Sequence, residues 1–166
     1  MSIKQAVLAG GCFWGLEDLI RNVPGVTDTE AGYTGGFNQD PSYEHHPGHA
    51  EAVRITYNLD ELSYKQLLDF FFRIHNPTTL NKQGNDIGTS YRSAIFYTTE
   101  EEKQLAEEMI QIVNASNRWE NPVVTTLEPL DTFFPAEETH QDYLQKNPDG
   151  YTCHRIQFDS YLQESS

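Results

Sequence analysis

Cys12 is one of only two cysteines in the chain, and it stands in Gly10-Gly11-Cys12-Phe13-Trp14-Gly15. The apolar run Ala6-Val7-Leu8-Ala9 precedes it, and Ile3 to Ala9 reads as a short strand. Phe13 to Arg21 follows with helical spacing, Leu16, Leu19 and Ile20 on the apolar side. Cys12 therefore falls where a strand gives way to a helix. The first N–H groups of a helix have no partner within it and point at such a position. That placement favours the thiolate, the form of cysteine that acts as a nucleophile. The flanking glycines allow close approach and unusual dihedrals. A lone cysteine in a Gly-rich turn also reads as a small buried hydrophobe; the neighbouring Phe13 and Trp14 tilt the reading toward a reactive thiol. Adjacent helical residues do not share a face, so these two aromatics are either core or an apolar wall for a ligand methyl or thioether.

The rest of the chain must hold this turn. Val26 to Tyr33 is a weaker strand, interrupted by Asp28 and Glu30. Residues 34–49 are rich in Gly, Pro and His, and a loop of about 16 residues without periodicity is often functional. Ala50 to Tyr57 alternates as a strand does. Ser63 to His75 reads as a helix with Ser63 as N-cap, stopped by Asn76-Pro77. A polar loop from Thr78 to Tyr91, a strand from Ser93 to Tyr97 and an acidic helix from Glu100 to Asn114 follow. Glu100, Glu101 and Glu102 open that helix, where the helix dipole favours them. Val123 to Leu127 reads as a strand and Ala136 to Lys146 as a helix closed by Asn147-Pro148-Asp149-Gly150. The order β-α-β-β-α-β predicts an α+β fold with a ferredoxin-like split βαβ, two-layer sandwich core. An additional α-β-α and a mobile, coil-rich tail follow it. One domain, 1–166, is expected, with its core over about 3–147 and its tail over about 148–166.

Composition narrows the function. The 166 residues carry 11 basic and 25 acidic side chains, a formal charge of −14. Residues 1–99 have 7 basic and 11 acidic groups (−4), residues 100–166 have 4 and 14 (−10). Such a balance argues against a nucleic-acid backbone and an anionic membrane surface as partners. The acidic half reads as a solvated helical face. No apolar run is long enough for a membrane span, and the N-terminus lacks a signal-peptide shape. Cys12 and Cys153 do not make a disulfide framework, so a cytoplasmic thiol protein is expected.

The motif Gly11-Cys12-Phe13-Trp14-Gly15 resembles the signature of the peptide methionine sulfoxide reductase A family. Further segments resemble that family in its order: Gly32-Tyr33-Thr34-Gly35-Gly36, Gly48-His49-Ala50-Glu51, His75-Asn76-Pro77-Thr78, Gln83-Gly84-Asn85-Asp86-Ile87-Gly88-Thr89-Ser90-Tyr91-Arg92-Ser93, and His140-Gln141-Asp142-Tyr143-Leu144 with Asn147-Pro148. The likeness spans about residues 5–150. The loop before Gly48 is shorter than in many members and has no cysteine.

The resemblance implies reduction of the S epimer of methionine sulfoxide, free or in proteins, with no cofactor. Cys12 matches the nucleophile and Glu51 the general acid. Tyr33 and Tyr91 match two tyrosines that hydrogen-bond the sulfoxide oxygen, and Asp86 an aspartate that organises the site. Phe13 and Trp14 would hold the substrate's ε-methyl group, with Tyr33, Glu51 and Tyr91 completing the binding site. Cys153 would resolve the oxidised Cys12 as a disulfide, reduced in turn by thioredoxin or a similar dithiol; a monomer is expected. Without the resemblance, Glu51 reads as a surface carboxylate, Asp86 as a loop cap, and the tyrosines as core or loop. His154 reads as an exposed tail histidine or as a local base beside Cys153. Three rival readings use the same residues. One is a cysteine hydrolase with His49 or His75 as base. Another is a metal site from Cys12, Cys153 and His45, His46 or His49, which lacks paired ligand spacing. The third is a catalytically silent sulfoxide-binding or interaction module.

Overall fold

The computed structural model describes residues 2–37, 39–150, 152, 154–157 and 159–162. It is an α+β fold. The elements are β1 (Ile3–Gly10), α1 (Phe13–Ile20), β2 (Val26–Thr34), β3 (Ala50–Asn58), α2 (Tyr64–Arg73), β4 (Lys82–Gln83), β5 (Asp86–Ile87), β6 (Ser93–Tyr97), α3 (Glu100–Ala115), β7 (Thr126–Pro129), β8 (Phe134–Pro135) and α4 (Tyr143–Lys146). Six strands form one sheet in the order β7-β6-β1-β3-β2-β8. Its neighbours are antiparallel except β6 and β7, which run parallel.

The two-residue period of a strand sorts the core onto both faces of this sheet. Ala6 and Leu8 of β1, Val53, Ile55 and Tyr57 of β3 and Ile95 of β6 join the larger cluster, with Leu16 and Ile20 of α1 and Leu67, Leu68, Phe71 and Phe72 of α2. Val7, Ala9, Ala50, Ala52, Ala94 and Phe96 point the other way. Leu130 and Phe133 cover these mostly small residues, and the Arg54 guanidinium lies 4.7 Å from the Phe133 ring centre. Helix α2 opens on a capping box: Gln66 N donates to Ser63 Oγ (3.0 Å) and Ser63 N to Gln66 Oε1 (2.9 Å). Helix α3 is capped by Thr99, whose Oγ1 accepts from Glu102 N (3.1 Å).

Four segments depart from the sequence reading. The polar loop 78–91 contains the β4–β5 ladder and a 3-10 turn at Thr89–Tyr91. The last paired strand of the 123–129 region starts at Thr126, because Val124 N instead donates to Pro77 O (2.8 Å). Strand β8 pairs Gly32 with Pro135 at the sheet edge, where proline costs no ladder bond. The expected helix 136–146 is only a 3-10 turn, Glu138–His140, and the short α4. Tertiary bonds break it. Gln141 is extended, and its side chain donates to Ala31 O (2.8 Å) and accepts from Ala31 N (2.8 Å), as another strand would. Asp142 then turns left-handed (φ 53°), its N–H donating to Glu17 Oε1 (3.0 Å) and its carboxylate taking Arg21 Nη1 (2.6 Å).

The described tail residues are docked rather than loose. Gln157 N donates to Arg73 O (2.9 Å). The buried Asp69 of α2 accepts from Ser160 Oγ (2.9 Å) and Tyr161 N (2.7 Å). Arg118 stacks over the Tyr161 ring at 4.3 Å, and Trp119 Nε1 donates to Tyr161 Oη (2.9 Å). Replacing Asp69 with alanine strands the Tyr161 amide away from water. A loss of about 1–3 kcal/mol is expected in urea unfolding.

Candidate active site

Gly11 turns the chain between β1 and α1 with φ +95°, a value that only glycine takes without strain. Cys12 follows as N-cap of α1, 4% exposed. No acidic side chain occupies the first turn of α1, so its N–H groups face the site without a competing charge from their own helix.

Glu51 comes from the start of β3. It is 1% exposed, and its Oε1 accepts from Phe13 N, the first N–H after Cys12, at 3.1 Å. Burial pushes this carboxyl from 4.5 up to about 8, against the lowering pull of the Phe13 hydrogen bond; the Asp86 charge raises it further. Glu51 is therefore predominantly a neutral acid at pH 7.

Two tyrosines share this centre, and they are Tyr91 and Tyr43. Burial raises the Tyr43 phenol to about 12, and the charges of Glu51, Cys12 and Asp86 add to the shift. Burial raises Tyr91 as well, with Glu51, Tyr43, Asp86 and Cys12 acting in the same direction. Both remain neutral O–H donors. His46 ties their loops together: Nδ1 donates to Ser42 O (2.7 Å), and Nε2 shares a hydrogen bond with Ser90 Oγ (2.8 Å).

The expectation for Tyr33 is corrected here. Its ring is fully buried, and its single O–H proton goes to Glu137 Oε1 at 2.8 Å. It packs under the site, 5.6 Å from Phe13 and 4.9 Å from His46. Glu137 also accepts from Tyr43 N (3.0 Å) and so carries the loop that presents Tyr43. Burial favours a higher value for Glu137, but the bonds from the Tyr43 backbone and Tyr33, with His140 nearby, hold it below the usual carboxylate range.

Phe13 is buried and Trp14 partly exposed, as their adjacent positions on one helix require. Trp14 stacks on Tyr143 at 3.8 Å and lies 6.0 Å from Tyr43. Its Nε1 donates to His140 Nδ1 (3.0 Å), and burial lowers the His140 pKa, which keeps that nitrogen an acceptor. The buried Glu17 anchors this wall: it holds Asp142 N and accepts from Thr29 Oγ1 (2.9 Å), fixing the segment that carries His140 and Tyr143.

The structure thus gathers Cys12, Phe13, Trp14, Glu51, Asp86 and Tyr91. It places Tyr33 one layer below, and Cys153 lies outside the described residues. Sequence reasoning missed Tyr43, Glu137, His140 and Tyr143. Tyr43 stood in the Gly- and His-rich loop, where its position between Pro41 and His45 was the only hint. His154 also departs from the expected exposed tail residue. It is buried, and Nε2 donates to Gly10 O at 2.6 Å. The hydrolase alternative finds its base occupied. His75 donates from Nδ1 to Phe71 O (2.6 Å) and accepts at Nε2 from Ser93 Oγ (2.8 Å). Burial lowers it to about 3. The other candidate, His49, accepts at Nδ1 from Gly36 N (3.1 Å).

A buried cysteine at a helix start, beside a protonated carboxyl, two phenols and an aromatic wall, defines a thiol site suited to an apolar substrate with an oxygen to be protonated. Comparison with known proteins narrows the class. The peptide methionine sulfoxide reductase family model matches residues 4–165, and the chain belongs to that family. Peptide methionine sulfoxide reductase MsrA of Mycolicibacterium gilvum (strain PYR-GCK) is 59% identical over 151 residues, 91% of this chain and 89% of that protein. The crystal structure of reduced Mxr1 from Saccharomyces cerevisiae superposes with a TM-score of 0.87 at 35% identity, covering 94% of this chain and 93% of that one. The structure of Mxr1 in complex with Trx2 gives 0.65 at 25% identity, covering 94% and 91%. Among the described residues no helix is long and apolar enough to cross a membrane.

Proposed function

We propose that the chain reduces the S epimer of methionine sulfoxide, in proteins or free, to methionine, with Cys12 as nucleophile and Glu51 as general acid. Sulfoxide oxygen leaves sulfur only once it is protonated. Cys12 attacks the substrate sulfur, Glu51 delivers a proton to the oxygen, and Tyr43 and Tyr91 donate to the same oxygen as charge builds on it. Phe13 and Trp14 hold the ε-methyl group. Oxygen is transferred to Cys12 as a sulfenic acid, and methionine departs two electrons richer. Cys153 then attacks the Cys12 sulfur; an S–S bond forms, the S–O bond breaks and water leaves. A thioredoxin-type dithiol reduces the disulfide, a partner supported by the Mxr1–Trx2 complex. The ferredoxin-like reading of the core rests on the antiparallel order β6-β1-β3-β2, with α1 and α2 as the two crossovers. A cytoplasmic monomer fits the charge and cysteine usage.

One observation carries the proposal: the buried Glu51 carboxyl accepts, at 3.1 Å, from the N–H that follows Cys12 at the start of α1, and burial raises its pKa to about 8. The test is single turnover by fully reduced protein on the separated epimers of a methionine sulfoxide amide, followed by mass spectrometry. Methionine from the S epimer alone, with loss of two hydrogens mapped to a Cys12–Cys153 link, is the expected result. No turnover with reactive thiols in place overturns the proposal.

A further inference from the structure

The chain on either side of Cys153 meets the nucleophile motif in an unusual way. Gly15 lies inside α1, where glycine is less favourable than alanine. Space accounts for its presence. A Cβ at Gly15 would run into Thr152 Oγ1 and stand 2.5 Å from His154 Nδ1 and 3.2 Å from His154 Cβ. A Cβ at Gly11 would stand 3.2 Å from His154 Nε2 and closer still to the Gln83 side chain. The two glycines that bracket Cys12-Phe13-Trp14 therefore form a socket, and the His154 ring fills it.

The ring is fastened as well as packed. A carbonyl oxygen only accepts, so the 2.6 Å contact with Gly10 O fixes the proton on His154 Nε2. Burial keeps His154 below its ordinary value, although the Gly10 carbonyl and the Asp86 charge pull the other way. A neutral ring has one N–H, and Gly10 takes it. Thr152 Oγ1 accepts from His154 N (3.1 Å). Further along, Gln157, Ser160 and Tyr161 are tied to α2. The tail is thus pinned at two places, and its nearer pin sits on the residues that flank Cys12.

We infer that the Gly11–Gly15 socket and His154 together position the tail for the resolving step, so that His154 is a positioning residue for attack of Cys153 on the Cys12 sulfenic acid. The inference rests on Cys153 as the resolving thiol. It gives Gly15 a part in recycling rather than in sulfoxide reduction, while Gly11 serves both the Cys12 turn and the socket. His154 acts through its bond to Gly10 O and its packing against Gly11 and Gly15.

The experiment uses the reduced full-length chain and one equivalent of S sulfoxide, quenched over time. Methionine, dimedone-trapped sulfenic acid and the Cys12–Cys153 disulfide are each quantified. In His154→Ala and in Gly15→Ala, disulfide formation is expected to slow by about tenfold or more, as misplacement of a reacting group does. The sulfenic acid accumulates accordingly, while methionine formation stays within about twofold of the parent. His154→Gln, which retains an N–H for Gly10 O, is expected to recover most of the disulfide rate. Disulfide formation at the parental rate in both His154→Ala and Gly15→Ala overturns the inference. So does equal slowing of methionine and disulfide formation, which would mean a distorted Cys12 turn. The Cys153→Ser protein separates the two levels. If its sulfenic acid persists, the underlying reading stands and the other variants judge the socket. If its sulfenic acid disappears as fast as in the parent, the resolving role of Cys153 fails, and the inference with it.

Discussion

The Cys12→Ser protein is expected to reduce no methionine sulfoxide in single or multiple turnover, at any concentration of added dithiol. A serine hydroxyl is almost wholly protonated at neutral pH and is a far weaker nucleophile toward sulfur than a thiolate. It also cannot accept oxygen as a sulfenic acid. The acid and the phenol donors, Glu51, Tyr43 and Tyr91, are assembled around the Cys12 turn. Cys153→Ser is expected to behave differently: one methionine per enzyme without added thiol, then arrest at the sulfenic acid. Quenched-flow yields at one and many equivalents of substrate distinguish the two variants. Multiple turnovers by Cys12→Ser would remove Cys12 from the nucleophile role.

The second large effect concerns Glu51. Glu51→Gln keeps the side-chain oxygen that accepts from Phe13 N and loses the transferable proton. The reductase step is expected to slow by about 10²- to 10⁴-fold, the usual worth of a positioned general acid. Substrate binding should change little, since the proton matters mainly in the transition state. The parent rate should hold below pH 8 and fall as Glu51 ionises through about 8, where the variant should show no such limb. The substitution moves stability the opposite way from activity. Burial raises the folded-state value above the ordinary 4.5, so the folded state holds this proton more tightly than the unfolded chain. The parent therefore loses stability from this group as pH rises from about 4.5 to about 8. The glutamine variant avoids that loss and should melt higher at pH 8 while working worse. A variant that melts lower at pH 8, with an unchanged single-turnover rate, would place Glu51 among ordinary structural carboxylates.

The legible part of the site was the part carried by short local patterns. Cys12 sits between an apolar strand and an amphipathic helix, and both elements form where their periodicity placed them. Ser63 caps α2 as its side chain and the residues after it required. The 136–146 segment shows where local reasoning stopped. Its composition suits a helix, yet Gln141 is worth more to the fold as an extended partner of Ala31, and Glu17 and Arg21 hold Asp142 in a left-handed turn. Those partners lie more than 100 residues away in the chain, beyond the reach of any periodicity.

Tyr33 and Tyr43 make the same point within the site. Both are tyrosines in loop-flanking motifs, and nothing local tells which phenol faces Cys12. The pairing of Tyr33 with Glu137 decides it, by consuming the only proton that Tyr33 has to donate. The sequence by itself determined the candidate nucleophile and the elements on either side of it, because these follow from contacts within a few residues, and the class of chemistry, because its motifs stand in order along the chain. Tertiary structure alone decided that Glu51 is buried and its pKa raised, that the Tyr33 phenol is bonded to Glu137, and that His154 closes over the motif glycines. Each of those depends on burial and on partners from distant strands and loops, and desolvation has no signature in a run of residues.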